Sequence, residues 1–201
     1  MLKLIFLLIS LLPINFLKIF VYNLFKNINI SYDSKIGIGI IFISKEINII
    51  NSKIGHLNYF NCKKLSVYNS KIKNKNSFIN INHLKLSNNA IIGSYNKIFS
   101  RKKKIYIKMF RSQISSNFRF QLSNSLYLGK NVVLGGINSK IIDQGQGNKR
   151  TIFLENIFVG SNVVFLNGLK INKNIVIGAN SLINKDILLS GKYFSKKLID
   201  I

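Results

Sequence analysis

Few side chains of this chain are equipped for acid–base or nucleophilic chemistry. There are two histidines, His56 and His83, one cysteine, Cys62, and six acidic residues among 201. One carboxylate is set apart by its surroundings. Asp143 opens the run Asp143-Gln144-Gly145-Gln146-Gly147-Asn148, which is too polar and glycine-rich for a buried strand and reads as a loop. A carboxylate partly withdrawn from water has its pKa raised toward neutrality and can then accept a hydroxyl proton. A lone loop aspartate also serves simply as a turn former. His56 carries an imidazole, the side chain used most often as a general base, but acts as one only if folding or a second subunit brings it to a substrate. Otherwise it is a surface or packing histidine, and His83 reads the same way. Two separated histidines and one cysteine do not make a metal ligand set. No phosphate-binding glycine loop, dinucleotide fingerprint or serine nucleophile elbow is present.

The elements that must position these residues announce themselves by repetition. Ser34-Lys35-Ile36, Ser52-Lys53-Ile54 and Ser70-Lys71-Ile72 recur every 18 residues. Near the C-terminus Phe153, Val159, Phe165, Ile171, Ile177 and Ile183 stand six apart without a gap. Short fixed periods of this kind mark a solenoid. Each hexad predicts a short strand plus a turn, and three hexads close a triangular coil. The listed apolar residues point inward, and Ile157, Val163, Leu169 and Ile175, two places earlier, pack the same prism. The position after the inward residue calls for a small residue, supplied by Gly37, Gly55, Gly93, Gly129, Gly135, Gly160 and Gly178. Turn asparagines (Asn156, Asn162, Asn174, Asn180) suit left-handed backbone angles. In the Ser-Lys-Ile echo the isoleucine is the core and Ser-Lys is expected to form an exposed turn edge.

The pattern divides the chain into an apolar segment 1–27, a first β-helix block 28–98, a basic loop 99–113, a second block 114–190 with a loop at 135–152, and a basic tail 191–201. The first segment, interrupted by Pro13 and Lys18, reads as one or two short helices that cap the first coil or lie on a membrane interface, with Lys3, Lys18 and Lys26 reaching lipid phosphates. A single spanning helix and an export signal are the other readings. The formal charge of +24 comes from 30 basic residues against 6 acidic ones, and only Arg101, Arg111, Arg119 and Arg150 are arginines. Such a field attracts anionic headgroups, a phosphorylated cofactor or acidic polysaccharide. Lysine in place of arginine forks argues against specific nucleic-acid binding. The single cysteine excludes an internal disulfide framework and fits a reducing compartment.

The stretch from Leu126 to Lys185, with Leu128-Gly129-Lys130-Asn131-Val132-Val133-Leu134-Gly135-Gly136, Val159-Gly160-Ser161-Asn162-Val163-Val164-Phe165 and Ile177-Gly178-Ala179-Asn180-Ser181-Leu182-Ile183-Asn184-Lys185, resembles the hexapeptide-repeat acyltransferases. It is most similar to the acetyltransferases of capsule, O-antigen and exopolysaccharide synthesis. The resemblance implies an all-β fold, a left-handed parallel β-helix with a short N-terminal helical segment. It further implies a homotrimer, acetyl-CoA as acyl donor in a groove between subunits, and a carbohydrate hydroxyl as acceptor. A cytoplasmic protein in peripheral contact with the inner face of the membrane fits that role. The family's loop histidine, the general base, corresponds to Gln144, and glutamine takes up no proton at neutral pH. Asp143 is then the candidate catalytic base beside it. A second polar site of the family falls at Phe118 and Gln121. Gly160, Ser161, Gly178, Ala179 and Lys185 are the implied cofactor-binding residues. The reading from another class is a catalytically inactive β-helix, a scaffold or carbohydrate-binding partner.

Overall fold

The computed structural model describes residues 2–25, 28–43, 45–64, 66–79, 83–86, 89–100, 107–109, 111–122, 124–142, 149–166 and 168–194. They form a left-handed parallel β-helix with two short helices at its N-terminal end, α1 (Leu2–Ser10) and α2 (Asn15–Asn23). Each coil contributes one strand to each of three faces. The first face stacks nine strands, from Lys35–Ile36 to Gly191–Tyr193, and the second stacks eight, from Ile41–Phe42 to Leu182–Ile183. The third face is in two sections, three strands from Ile28–Ile30 to Val67–Tyr68 and five from Leu84–Leu86 to Lys170–Ile171.

The register explains the sequence periods. On the first face Ile36, Ile54, Ile72, Ile92, Ile114, Leu134, Val159 and Ile177 lie directly over one another. Phe42, Phe60, Phe78, Ile98, Phe120, Ile141, Phe165 and Ile183 do so on the second. Phe153, Val159 and Phe165 are thus inward residues of three successive faces, all fully buried. Burial of such a side chain contributes roughly 1.5–3 kcal/mol, so stability accumulates coil by coil. The aromatic column is continuous at its start, with Phe42 against Phe60 at 5.2 Å and Phe60 against Phe78 at 4.9 Å between ring centroids. Cys62 lies within this core, and burial pushes its thiol pKa up to about 12.

Close packing of coils accounts for the glycines after inward residues. A Cβ on Gly37 would come within 2.6 Å of the Gly55 backbone, and one on Gly129 within 1.6 Å of the Leu154 carbonyl oxygen. The turn asparagines have positive φ, 52° at Asn156 and 56° at Asn162. Their amides chain along the corners, Asn156 to Asn174 at 3.0 Å and Asn162 to Asn180 at 3.1 Å.

The expected exposed Ser-Lys edge is corrected. Lys35, Lys53 and Lys71 are exposed, but Ser34, Ser52 and Ser70 are buried. Residues two apart on a strand face the same way, so a serine two places before an inward isoleucine must point inward too. Its hydroxyl is satisfied by the adjacent coil: the Ser70 N–H donates to Ser52 Oγ at 3.1 Å, and Ser52 Oγ donates to the Val67 carbonyl. The equivalent position of the second face holds Asn58, Asn76 and Asn96, all buried. There the backbone N–H of Asn76 donates to Asn58 Oδ1 at 2.9 Å, and that of Asn96 to Asn76 Oδ1 at 2.8 Å.

Three stretches expected outside the coils carry strands. Ile107–Met109 pairs with Leu84–Leu86 within 99–113, and Lys140–Ile142 pairs with Arg119–Leu122 within 135–152. Gly191–Tyr193, expected in the tail, pairs with Ile175–Ile177. Coil length varies between 16 and 25 residues, which hides these strands from a strict hexad count.

The N-terminal helices cap the first coil. Asn15 Nδ2 donates to the Ser34 carbonyl at 2.7 Å while its Oδ1 accepts from the Ile36 N–H at 2.9 Å. Asn23 brackets Ile30 in the same way, and Tyr22 Oη donates to the Ile40 carbonyl at 3.1 Å. Lys18 does not reach outward for phosphates: it is buried, and Nζ donates to the carbonyls of Ile36 and Gly37, both at 3.2 Å. An end coil has a row of unpaired backbone groups, and these side chains satisfy them. Among the described residues no helix is long and apolar enough to cross a membrane.

Candidate functional site

The second face turns into the third at one corner of the prism, and the polar run 143–148 lies in sequence between the two strands that meet there. Ile142 ends its second-face strand in register with Leu166. Asp143 and Gln144 lie outside the described residues, and the chain is described again at Lys149, just before the third-face strand Thr151–Phe153. The return point is held electrostatically. Lys149 Nζ lies 3.1 Å from Asp186 Oδ2, and Asp186 Oδ1 accepts from the Lys170 N–H at 2.8 Å. That backbone N–H and then Lys149 hold the Asp186 carboxyl below its ordinary pKa, so it stays ionised at neutral pH. Lys185, next to Asp186, is exposed on this corner, as are Arg150 and Lys170. The corner therefore carries four cations and one carboxylate.

The other implied cofactor residues sit elsewhere. Gly160, Ser161, Gly178 and Ala179 occupy the corner between the first and second faces. The structure gives each glycine a packing reason. The Gly160 N–H donates to the Ile177 carbonyl and the Gly178 N–H to that of Tyr193, both at 2.8 Å. A Cβ on Gly160 would meet the Ala179 amide nitrogen at 2.7 Å, and one on Gly178 the Phe194 ring at 2.1 Å. Neither amide is left to bind a ligand. Ser161 Oγ accepts from the Ile137 N–H at 3.3 Å, and Ala179 is exposed. Within one chain, then, Lys185 and the loop flanks share a corner while these four residues line another. Phe118, aligned with a polar site, is fully buried against Phe120 at 4.5 Å, because it falls two residues before the inward Phe120.

His56 belongs to the early coils, away from both groups. Its Nδ1 accepts from the Ile38 N–H at 3.1 Å, which assigns the ring proton to Nε2 in the neutral form. It borders a groove of about 440 Å³ lined also by Lys35, Lys53, Lys71 and Lys73. Lys35, Lys53 and Lys71 are in register on adjacent strands, so the 18-residue echo of Ser-Lys-Ile places three cations side by side. His83, half-buried with φ 61°, anchors its own turn through an N–H donated to the Lys63 carbonyl at 3.0 Å.

Searches against known protein families and against curated proteins find no match to this chain.

Proposed function

We propose that this chain is a hexapeptide-repeat O-acyltransferase, moving an acetyl group from acetyl-CoA to a carbohydrate hydroxyl. The observation that carries the reading is the corner between the second and third faces. A polar, carboxylate-bearing run of sequence, 143–148, separates the strands Lys140–Ile142 and Thr151–Phe153 that meet there, and Lys149, Arg150, Lys170 and Lys185 surround the corner. Exposed cations at the corner suit the phosphates of a coenzyme A donor. In the proposed step the acceptor oxygen attacks the thioester carbonyl, Asp143 takes the hydroxyl proton, the C–S bond breaks, and the coenzyme A thiolate leaves and is protonated. The separation of Lys185 from Gly160, Ser161, Gly178 and Ala179 fits a trimer groove in which neighbouring subunits contribute different corners.

Acetyl transfer to sugar acceptors tests this. Asp143→Asn is expected to cost ~10²–10⁴-fold in rate, the usual contribution of a general base, and Gln144→His to raise the rate by supplying an imidazole. Unchanged transfer in the asparagine variant would remove Asp143 from the mechanism. The groove over Lys35, Lys53 and Lys71 favours a second reading, a β-helix that binds acidic carbohydrate without catalysis. Binding of an acidic polysaccharide lost on Lys53→Gln, in a protein without transferase activity, is the outcome that supports it.

A further inference from the structure

The paired N-terminal helices are apolar on both sides. Inward, Phe6, Ile9, Ile19 and Tyr22 are buried against the first coil, with Tyr22 packed on Phe42 at 5.1 Å between centroids. Outward, Leu4, Leu8, Leu11, Ile14, Phe16 and Leu24 are each 56–69% exposed. A helix that is hydrophobic all round is normally covered all round, and a contiguous exposed apolar surface of this kind marks an interaction site. The helices cannot turn this face inward, because Asn15, Lys18, Tyr22 and Asn23 on α2 and Ser10 on α1 are hydrogen-bonded to the backbone of the first coil or to the segment leading into it.

Charge and length identify the occupant. No acidic residue precedes Asp33, and the chain as a whole carries +24. Such a charge draws this end of the chain toward an anionic lipid surface. Each helix has 9 residues, about 13 Å long. The hydrocarbon core is about 30 Å thick, so the helices suit a position in the plane of the interface. We propose that α1 and α2 form a membrane-docking surface that seats the N-terminal end of the solenoid on an anionic bilayer. The surface is at the end of the prism remote from the acyl-transfer corner, so the two proposals stand or fall separately.

Flotation of the full chain with vesicles tests the docking surface. The chain is expected to float with phosphatidylcholine–phosphatidylglycerol vesicles and less with phosphatidylcholine alone. The triple variant Leu4→Ser, Leu8→Ser, Leu11→Ser removes exposed side chains of this face and is expected to lose binding ~100-fold or more, with an unchanged melting curve. Failure of the folded chain to float with anionic vesicles would overturn the proposal. So would undiminished flotation of the triple variant, which would leave the charge alone responsible. A discrete self-association without vesicles, abolished by the triple variant, would assign the face to a second copy instead.

Discussion

The buried asparagine ladder contains its own control. Asn76 is wedged between two coils: its Nδ2 donates to the Lys73 carbonyl at 3.1 Å and the Gly93 carbonyl at 2.8 Å, and its Oδ1 accepts from the Asn96 N–H at 2.8 Å. Asn96, the next rung, accepts from the Phe118 N–H at 2.7 Å, but its Nδ2 has no hydrogen-bond partner. Replacing either residue by alanine removes the same side-chain volume from a buried site. The consequences for hydrogen bonding differ. Asn76→Ala strands two backbone groups, the Gly93 carbonyl and the Asn96 N–H, each costing ~1–3 kcal/mol when buried, while the Lys73 carbonyl still accepts from Asn58 Nδ2 at 2.8 Å. Asn96→Ala strands one and also removes an amide that is already unsatisfied. The expected gap is therefore ~2–4 kcal/mol, or roughly 4–16 °C in melting temperature at 2–4 °C per kcal/mol for a chain of this size. Thermal melts of the two variants followed by circular dichroism give the comparison directly. Equal destabilisation, or a larger loss for Asn96→Ala, would refute the view that inter-coil side-chain hydrogen bonds hold the ladder.

Lys18 gives a pH-dependent counterpart. Burial lowers its pKa from 10.5, so its charged form carries a cost in the folded state that is present at neutral pH and relieved as pH rises from the folded pKa to the unfolded value. The wild type is expected to gain stability relative to Lys18→Met over that alkaline window, and parallel melting temperatures from pH 7 to 10.5 would contradict it. Gly129→Ala forces a Cβ to within 1.6 Å of a carbonyl oxygen on the next coil. It is expected to cost ~3 kcal/mol or more, whereas Ala179→Gly, at an exposed position, should change the denaturation midpoint little.

What the sequence carried and what it concealed follow one rule. Several hexads of the later coils have apolar residues at both inward positions, as at Ile157 and Val159 or Ile175 and Ile177, and there the period alone specifies the coil. At Ser34, Ser52, Ser70, Asn58, Asn76 and Asn96 of the early coils the first inward position is polar, and a polar residue in a repeat looks exposed unless strand alternation is applied to it. Ser52 and Asn76 are buried because a neighbouring coil satisfies them, a property of stacking that no single hexad displays. Variable coil length hid Ile107–Met109 and Gly191–Tyr193 in the same way. At the candidate site, the polar, glycine-rich run 143–148 was legible from its composition. The contact of Lys149 with Asp186 was not, because those residues are 37 positions apart and meet only when coils stack. The outward apolar face of α1 and α2 was legible as hydropathy, but the burial of Lys18 was not, because its partners, two carbonyls of the first coil, belong to another element.

The central functional claim rests on donor recognition at the corner that holds Lys185. Calorimetric titration of the folded chain with acetyl-CoA tests it most directly. The expected result is saturable binding, one donor per chain, weakened about tenfold by Lys185→Ala with no change in melting temperature; a single charge-assisted contact to phosphate accounts for a loss of that size. Absence of binding at millimolar acetyl-CoA would contradict the acyltransferase reading.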